Sequence, residues 1–159
     1  MVKVKIICVG NLKEKYWRDA VSEYQKRLGA FCTFEIVELQ EERLPDSPSQ
    51  SQIDKALEKE AERILNKVGR MASVYAMCIE GKCISSEKLA EKMTADMQTA
   101  SEIDFIIGSS FGLSDTVKSK ANMKLSMSPM TFPHQLARVI LCEQIYRAFQ
   151  ISRGGKYHK

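Results

Sequence analysis

Residues 125–154 read LSMSPMTFPHQLARVILCEQIYRAFQISRG. Leu125 and Met127 alternate with serines as in a short strand, and Pro129 and Pro133 punctuate the loop that follows. From His134 to Arg153 there is neither glycine nor proline, and Leu136, Val139, Ile140, Ile145, Tyr146 and Phe149 give that run an apolar surface at helical spacing, broader than one narrow stripe. Pro133 is tolerated in a first helical turn, where its missing amide would have had no partner, and Gly154 is a natural stop. Strand, loop and long helix make one β–α unit, so the fold class turns on whether the unit repeats upstream.

It does. Asp104 to Ile107 is a short apolar run closed by Gly108-Ser109-Ser110-Phe111-Gly112, and Ser73 to Ile79 is another, closed by Glu80-Gly81-Lys82. Between these two runs, Ser85 or Ser86 can cap a helix carrying Leu89, Met93 and Met97. Ile53, Leu57, Ala61, Ile64, Leu65 and Val68 predict a helix over Gln52–Val68 whose acidic face is expected to be solvated. The Gln40–Ser51 stretch, with Pro45 and Pro48, reads as a loop after a strand at Phe31–Leu39. Val2 to Val9 alternates at first and then turns wholly apolar, as a strand buried on both faces does, and Trp17, Ala20, Val21, Tyr24 and Leu28 mark the helix after it. Strands alternating with helices predict an α/β fold, a mostly parallel sheet covered by helices on both faces, as a single domain over residues 1–159 without repeats or linkers.

Composition sets outer bounds. An apolar fraction of 44% with 28% charged residues is that of a soluble globular chain. The start MVKVKIICVGN alternates with lysine rather than forming a signal-peptide core, and no window approaches the roughly 20 apolar residues of a membrane helix, so the expectation is a cytoplasmic protein without a membrane partner. The five cysteines are mostly embedded in apolar runs, as reduced core thiols are, and neither they nor His134 and His158 form a zinc pattern, so no metal is expected. The net charge of +4 is unevenly spread. Glu38–Glu62 carries eight acidic and three basic residues, whereas Leu113–Lys159 carries eight basic and two acidic ones. The basic end can face a polyanion.

In a parallel sheet ligands lie outside the carboxyl ends of strands. Three marked segments fall there: Glu80-Gly81-Lys82, Gly108 to Gly112, and Ser126 to His134. The glycines can offer close approach to backbone amides, but neither the dinucleotide GxGxxG spacing nor a P-loop is present, and GSSFG is not the GxSxG elbow of a serine hydrolase. On the last helix Glu143 and Arg147 stand four apart, as an ion pair does, while Arg138 and Arg153 are free to pair elsewhere or shape an anionic pocket. The tail Gly154 to Lys159 joins two lysines to Tyr157, which can stack on a base, and to His158, which can exchange a proton.

The string Met130-Thr131-Phe132-Pro133-His134-Gln135, followed by Glu143-Gln144-Ile145-Tyr146-Arg147-Ala148, the ending Tyr157-His158-Lys159 and the opening Val9-Gly10-Asn11-Leu12-Lys13, closely resembles the ribosomal RNA large-subunit pseudouridine N3-methyltransferase family, a minimal branch of the SPOUT methyltransferases. The resemblance covers nearly the whole chain. It implies a SPOUT-type fold with a carboxyl-terminal trefoil knot, a homodimer, S-adenosylmethionine as cofactor, and transfer of a methyl group to N3 of a pseudouridine in 23S ribosomal RNA of the assembled ribosome. Cofactor contacts then fall on Met77, Gly108 and the run Met127, Ser128, Pro129, Met130, Thr131 and Phe132. His158 is the expected proton acceptor and Tyr157 the base-orienting ring, with Arg153 completing the catalytic group. Arg153, Tyr157 and Lys159 are the expected RNA contacts, and His134 is expected to order the cofactor loop. The family pattern usually has glycine at position 109 and leucine at 77, where this chain has Ser109 and Met77. The competing readings are a nonenzymatic RNA-binding or ribosome-assembly protein that keeps the fold, and a knotted methyltransferase acting on transfer RNA.

Overall fold

A computed structural model of the chain describes residues 1–159. In chain order the elements are β1 (Lys3–Val9), α1 (Lys15–Leu28), β2 (Thr33–Leu39), α2 (Gln50–Leu65), β3 (Ala72–Cys83), α3 (Ser86–Asp96), β4 (Glu102–Ile107), α4 (Asp115–Lys120), β5 (Met123–Ser126) and α5 (His134–Ser152). The five strands form one sheet in the order β2-β1-β4-β3-β5, every pairing parallel. The expected α/β architecture is therefore present.

Burial explains the apolar runs. β1 and β4 are interior strands, and along β1 Val4, Ile6 and Cys8 join a core on one face while Ile7 and Val9 join a second core on the other. The larger core packs the sheet against α1, α3 and α5 through residues such as Val21, Leu28, Leu89, Met93, Leu141, Ile145 and Phe149. The smaller one takes Ala61 and Ile64 of α2 and Val117 of α4. A strand enclosed in this way must be apolar on consecutive residues rather than alternate ones.

Helix starts follow capping chemistry. Ser49 and Gln52 form a reciprocal capping box, so α2 begins two residues before the expected Gln52. Ser85, rather than Ser86, caps α3 by accepting the Lys88 amide, which leaves the Ser86 hydroxyl to donate to Gln144 of α5 at 2.6 Å. Pro133 is the N-cap of α5 rather than a residue of its first turn. α4 was not expected at all: six residues, DTVKSK, opened by the Ser114 cap.

Several polar side chains are buried with partners, Arg138 and Lys5 among them. Arg138, 1% exposed, donates to Glu38 Oε2 at 2.6 Å and to the Gly10 carbonyl at 3.1 Å, joining α5 to the ends of β1 and β2. At the opposite end of the sheet, Lys5 lies between Glu102 and Asp104 and donates to the Lys67 carbonyl at 2.6 Å. Burial raises the Asp104 carboxyl above the usual carboxylate range despite the Gly69 amide that it accepts. All five cysteines are free thiols. Burial pushes Cys8, Cys32 and Cys142 up to about 12, and only Cys83 is exposed. No helix is long and apolar enough to cross a membrane.

Candidate cofactor and tail sites

The carboxyl ends of β3, β4 and β5 surround a cavity of about 560 Å³. Its walls come from Met77–Glu80, Ile107–Leu113 and Leu125–Ser128, with Met130–His134 at the entrance to α5. The segments marked at strand ends in the sequence thus meet, although the first of them differs in form. Glu80-Gly81-Lys82 was expected as a loop closing the strand, but β3 continues through it to Cys83. Met77 and Lys82 both align with Leu125 of β5, so the four residues between them bulge from the ladder. Gly81 is required because a Cβ there would sit 2.6–2.8 Å from the backbone of Lys124 and Leu125.

The glycine turn has a tightly set shape. The Gly112 amide donates to the Ser109 carbonyl at 2.8 Å, Gly112 has φ +86°, and a Cβ on Gly108 would fall 2.2 Å from the Gly112 oxygen. In the third segment Ser126 donates to the Ser128 carbonyl, and the Ser128 hydroxyl accepts the Met130 amide, curling the loop before α5. Of the expected contacts, Met77, Gly108, Met127, Ser128, Met130, Thr131 and Phe132 all line the cavity; Pro129 lies in the same loop but off the wall. His134, half-buried at the start of α5, also lines it.

An apolar wall of Met77, Ile107, Met127 and Phe132 with exposed backbone at a glycine turn suits a flat heterocycle with polar edges. A smaller cavity of about 290 Å³ shares Met77, Met127 and Phe132 and opens between α3 and α5. No group of His, Cys, Asp or Glu side chains is arranged to hold a metal ion.

The tail is not in the cavity. Tyr157 packs edge-to-face on Tyr146 at 4.9 Å, lies under the Arg147 guanidinium, and donates its hydroxyl to Glu143 Oε1 at 3.1 Å. Burial first, and then the Glu143 carboxylate, pushes the Tyr157 phenol up to about 12. The expected Glu143–Arg147 ion pair is present, at 2.9 Å. His158 Nδ1 lies 3.1 Å from Arg147 and Nε2 2.6 Å from Glu87. Guanidinium only donates and carboxylate only accepts, so this network selects a neutral ring protonated at Nε2. Both ring nitrogens are engaged in this position. Arg153 is exposed and stacks over Phe31 at 4.5 Å, while Lys159 is exposed at the end of the chain.

Sequence reasoning missed one buried group beside the site. Glu60 was grouped with the solvated acidic face of α2, yet it is 3% exposed and bonds Ser109 of the glycine turn. Its place between the exposed Lys59 and the buried Ala61 would not have singled it out, because the partner lies 49 residues away.

The comparisons with known proteins agree with this geometry. Residues 2–158 match the family described as predicted SPOUT methyltransferase. The chain is 50% identical over 159 residues to the ribosomal RNA large subunit methyltransferase H of Streptococcus uberis, and 52% identical to that of Streptococcus thermophilus. In both cases the match takes in 99% of this chain and 100% of the relative. A solved structure of a probable methylase family protein from Haemophilus influenzae Rd KW20 aligns with a TM-score of 0.56 at 15% identity, over 98% of this chain and 70% of that one, a likeness of fold alone. A match over almost every residue accounts at once for the parallel sheet and for the three segments closing on one cavity, and it implies a methyl donor: the chain belongs to the SPOUT methyltransferase family and is a methyltransferase.

Proposed function

We propose that this enzyme transfers a methyl group from S-adenosylmethionine to N3 of a pseudouridine in 23S ribosomal RNA of the assembled ribosome, in the cytoplasm and as a homodimer. The observation that carries the reading is the full-length 50% identity to relatives named as ribosomal RNA large subunit methyltransferases. Family membership also implies a trefoil knot in the carboxyl-terminal half and one domain over residues 1–159, and both belong to the proposal.

Met77, Gly108 and Met127–Phe132 would hold the cofactor, with Pro129 shaping the loop rather than touching the ligand. When bound, S-adenosylmethionine supplies a methyl group already activated on a sulfonium. The chain's own residues have three tasks: to exclude water behind Met77, Met127 and Phe132, to orient the target ring, and to manage the N3 proton. We assign orientation to Tyr157, the proton to His158, and the flanking phosphates to Arg153 and Lys159. His158 can accept a proton only once Arg147 releases its Nδ1, so binding of RNA must draw the tail from its place against Glu87 and Arg147. The homodimer is supported by the half-exposed Leu136, Val139 and Ile140, an apolar strip on α5 left open in the single chain.

The test compares methyl transfer to intact ribosomes, free large-subunit RNA and transfer RNA. Intact ribosomes should be the preferred acceptor. Transfer to transfer RNA instead would move the enzyme to another substrate, and cofactor binding with no transfer to any RNA would make it a binding protein. Within this reading, His158→Ala should slow single-turnover transfer to ribosomes by about 100-fold at saturating substrate and cofactor. A rate close to wild type across the pH range would remove His158 from the chemistry.

A further inference from the structure

Glu60 is a carboxylate almost wholly buried on α2, without a salt-bridge partner. Water is replaced by two donors. Its Oε2 accepts the backbone amide of Glu42, from the segment after β2, at 2.9 Å. Its Oε1 accepts the Ser109 hydroxyl, from the glycine turn after β4, at 3.1 Å. A carboxylate in such a place costs far more to bury than a leucine, and α2 already packs through Ala61 and Ile64, so helix packing alone does not call for an acid here.

The segment after β2 is also held from α2 by Arg63, which donates to the Gln40 carbonyl at 2.9 Å and to Glu42 Oε2 at 2.7 Å, so the bond peculiar to Glu60 is the one to Ser109. Ser109 is itself 8% exposed, lines the larger cavity, and receives the Gly112 amide on its carbonyl. Fixing the Ser109 side chain therefore fixes where Gly108 and Gly112 present their backbone. Glu60 does not line the cavity, so whatever it does for a ligand it does through Ser109.

We propose that Glu60 is a positioning residue for the methyl-donor site, holding the Gly108–Gly112 turn in its binding shape through the Ser109 hydroxyl. This rests on the assignment of that cavity to S-adenosylmethionine. It also gives position 109 a reason to be serine in this chain: the hydroxyl supplies the donor that the buried carboxylate needs.

The test is a double-mutant cycle on the full-length protein, with S-adenosylhomocysteine as the titrated probe in a calorimeter. Glu60→Leu and Ser109→Ala should each weaken binding by about 10-fold, the loss expected for one hydrogen bond to a charged group. The double variant should be no weaker than the worse single one, because both act on one link. Glu60→Gln can keep both links only as neutral bonds, its oxygen accepting the Glu42 amide and its amide nitrogen donating to the Ser109 hydroxyl, and should fall between wild type and Glu60→Leu. Thr116→Ala removes the bond from α4 to Glu58 on the same helix without touching the turn, and should leave affinity unchanged.

Losses that multiply in the double variant, or affinities within about twofold of wild type for both Glu60→Gln and Ser109→Ala, would overturn the proposal. Those two variants preserve side-chain size closely enough to decide the matter if Glu60→Leu does not fold. Wild-type protein that fails to bind the probe would instead refute the cofactor assignment beneath it.

Discussion

Gly108→Ala should weaken cofactor binding by about 100-fold while leaving a folded protein of reduced stability. The added methyl would meet the Gly112 carbonyl oxygen at 2.2 Å and Leu113 Cδ2 at 2.9 Å. The oxygen belongs to backbone held by the Gly112–Ser109 bond and followed by the capped start of α4, so relief must come from moving the whole turn. Overpacking of this kind typically costs about 1–3 kcal/mol in stability. The effect on the site should be larger, because a displacement of about 1 Å in a positioning element can cost about 100-fold. Gly112→Ala is the informative contrast: its Cβ would meet nothing within 4 Å, and only the positive φ of +86° opposes it. That strain is worth about 1–2 kcal/mol, with correspondingly milder loss of binding. Calorimetric titration with S-adenosylhomocysteine and thermal melts of both variants check the ranking. Equal affinities would mean that the glycine turn is not part of the ligand's surroundings.

The largest effect on stability is expected at Arg138. Arg138→Ala leaves a void at a fully buried position, deprives the Gly10 carbonyl of a donor, and frees Glu38, which is half-exposed and returns to water. The void and the orphaned carbonyl dominate, for a loss of about 3 kcal/mol. In a chain of this size that lowers the melting temperature by about 6–12 °C. Arg138→Met refills most of the volume and removes the Nε that has no partner in the folded chain, so it should recover more than half of the loss. A melting temperature unchanged in Arg138→Ala would show that the link between α5 and the β1–β2 edge carries no net stability.

How much of this could be read in the residues depended on the range of the interactions concerned. β1 and β4 were legible because enclosure on both faces writes itself into consecutive apolar residues such as Ile6-Ile7-Cys8-Val9 and Phe105-Ile106-Ile107. α5 was legible because it spans many turns with no breaker. α4 was not, since six residues with one buried side chain, Val117, carry no period. The extension of β3 was hidden behind Gly81, which looks like a turn residue in the sequence and serves in the fold to let β3 approach β5. The glycine turn and the Ser126–His134 loop were legible from motifs at strand ends, whereas the individual cavity positions, Met77 among them, came from the family resemblance. Their supports were not legible, because Glu60–Ser109 and Arg138–Glu38 join residues 49 and 100 apart, with nothing local to betray them. The tail showed its chemistry in the sequence but not its resting place against Glu87 and Glu143, which depends on where α3 ends up beside α5.

The uneven accessibility of the five thiols has a practical consequence. Cys8, Cys32 and Cys142 are sealed in the core as neutral thiols, and Cys78 is only half-buried, with burial also raising it. Cys83 stands in the open at the end of β3, aligned with Ser126, just where the strand leaves the cavity wall. A maleimide fluorophore added to the native protein thus has one favoured attachment point. Emission from that point would follow ligand entry and tail movement without any engineered residue.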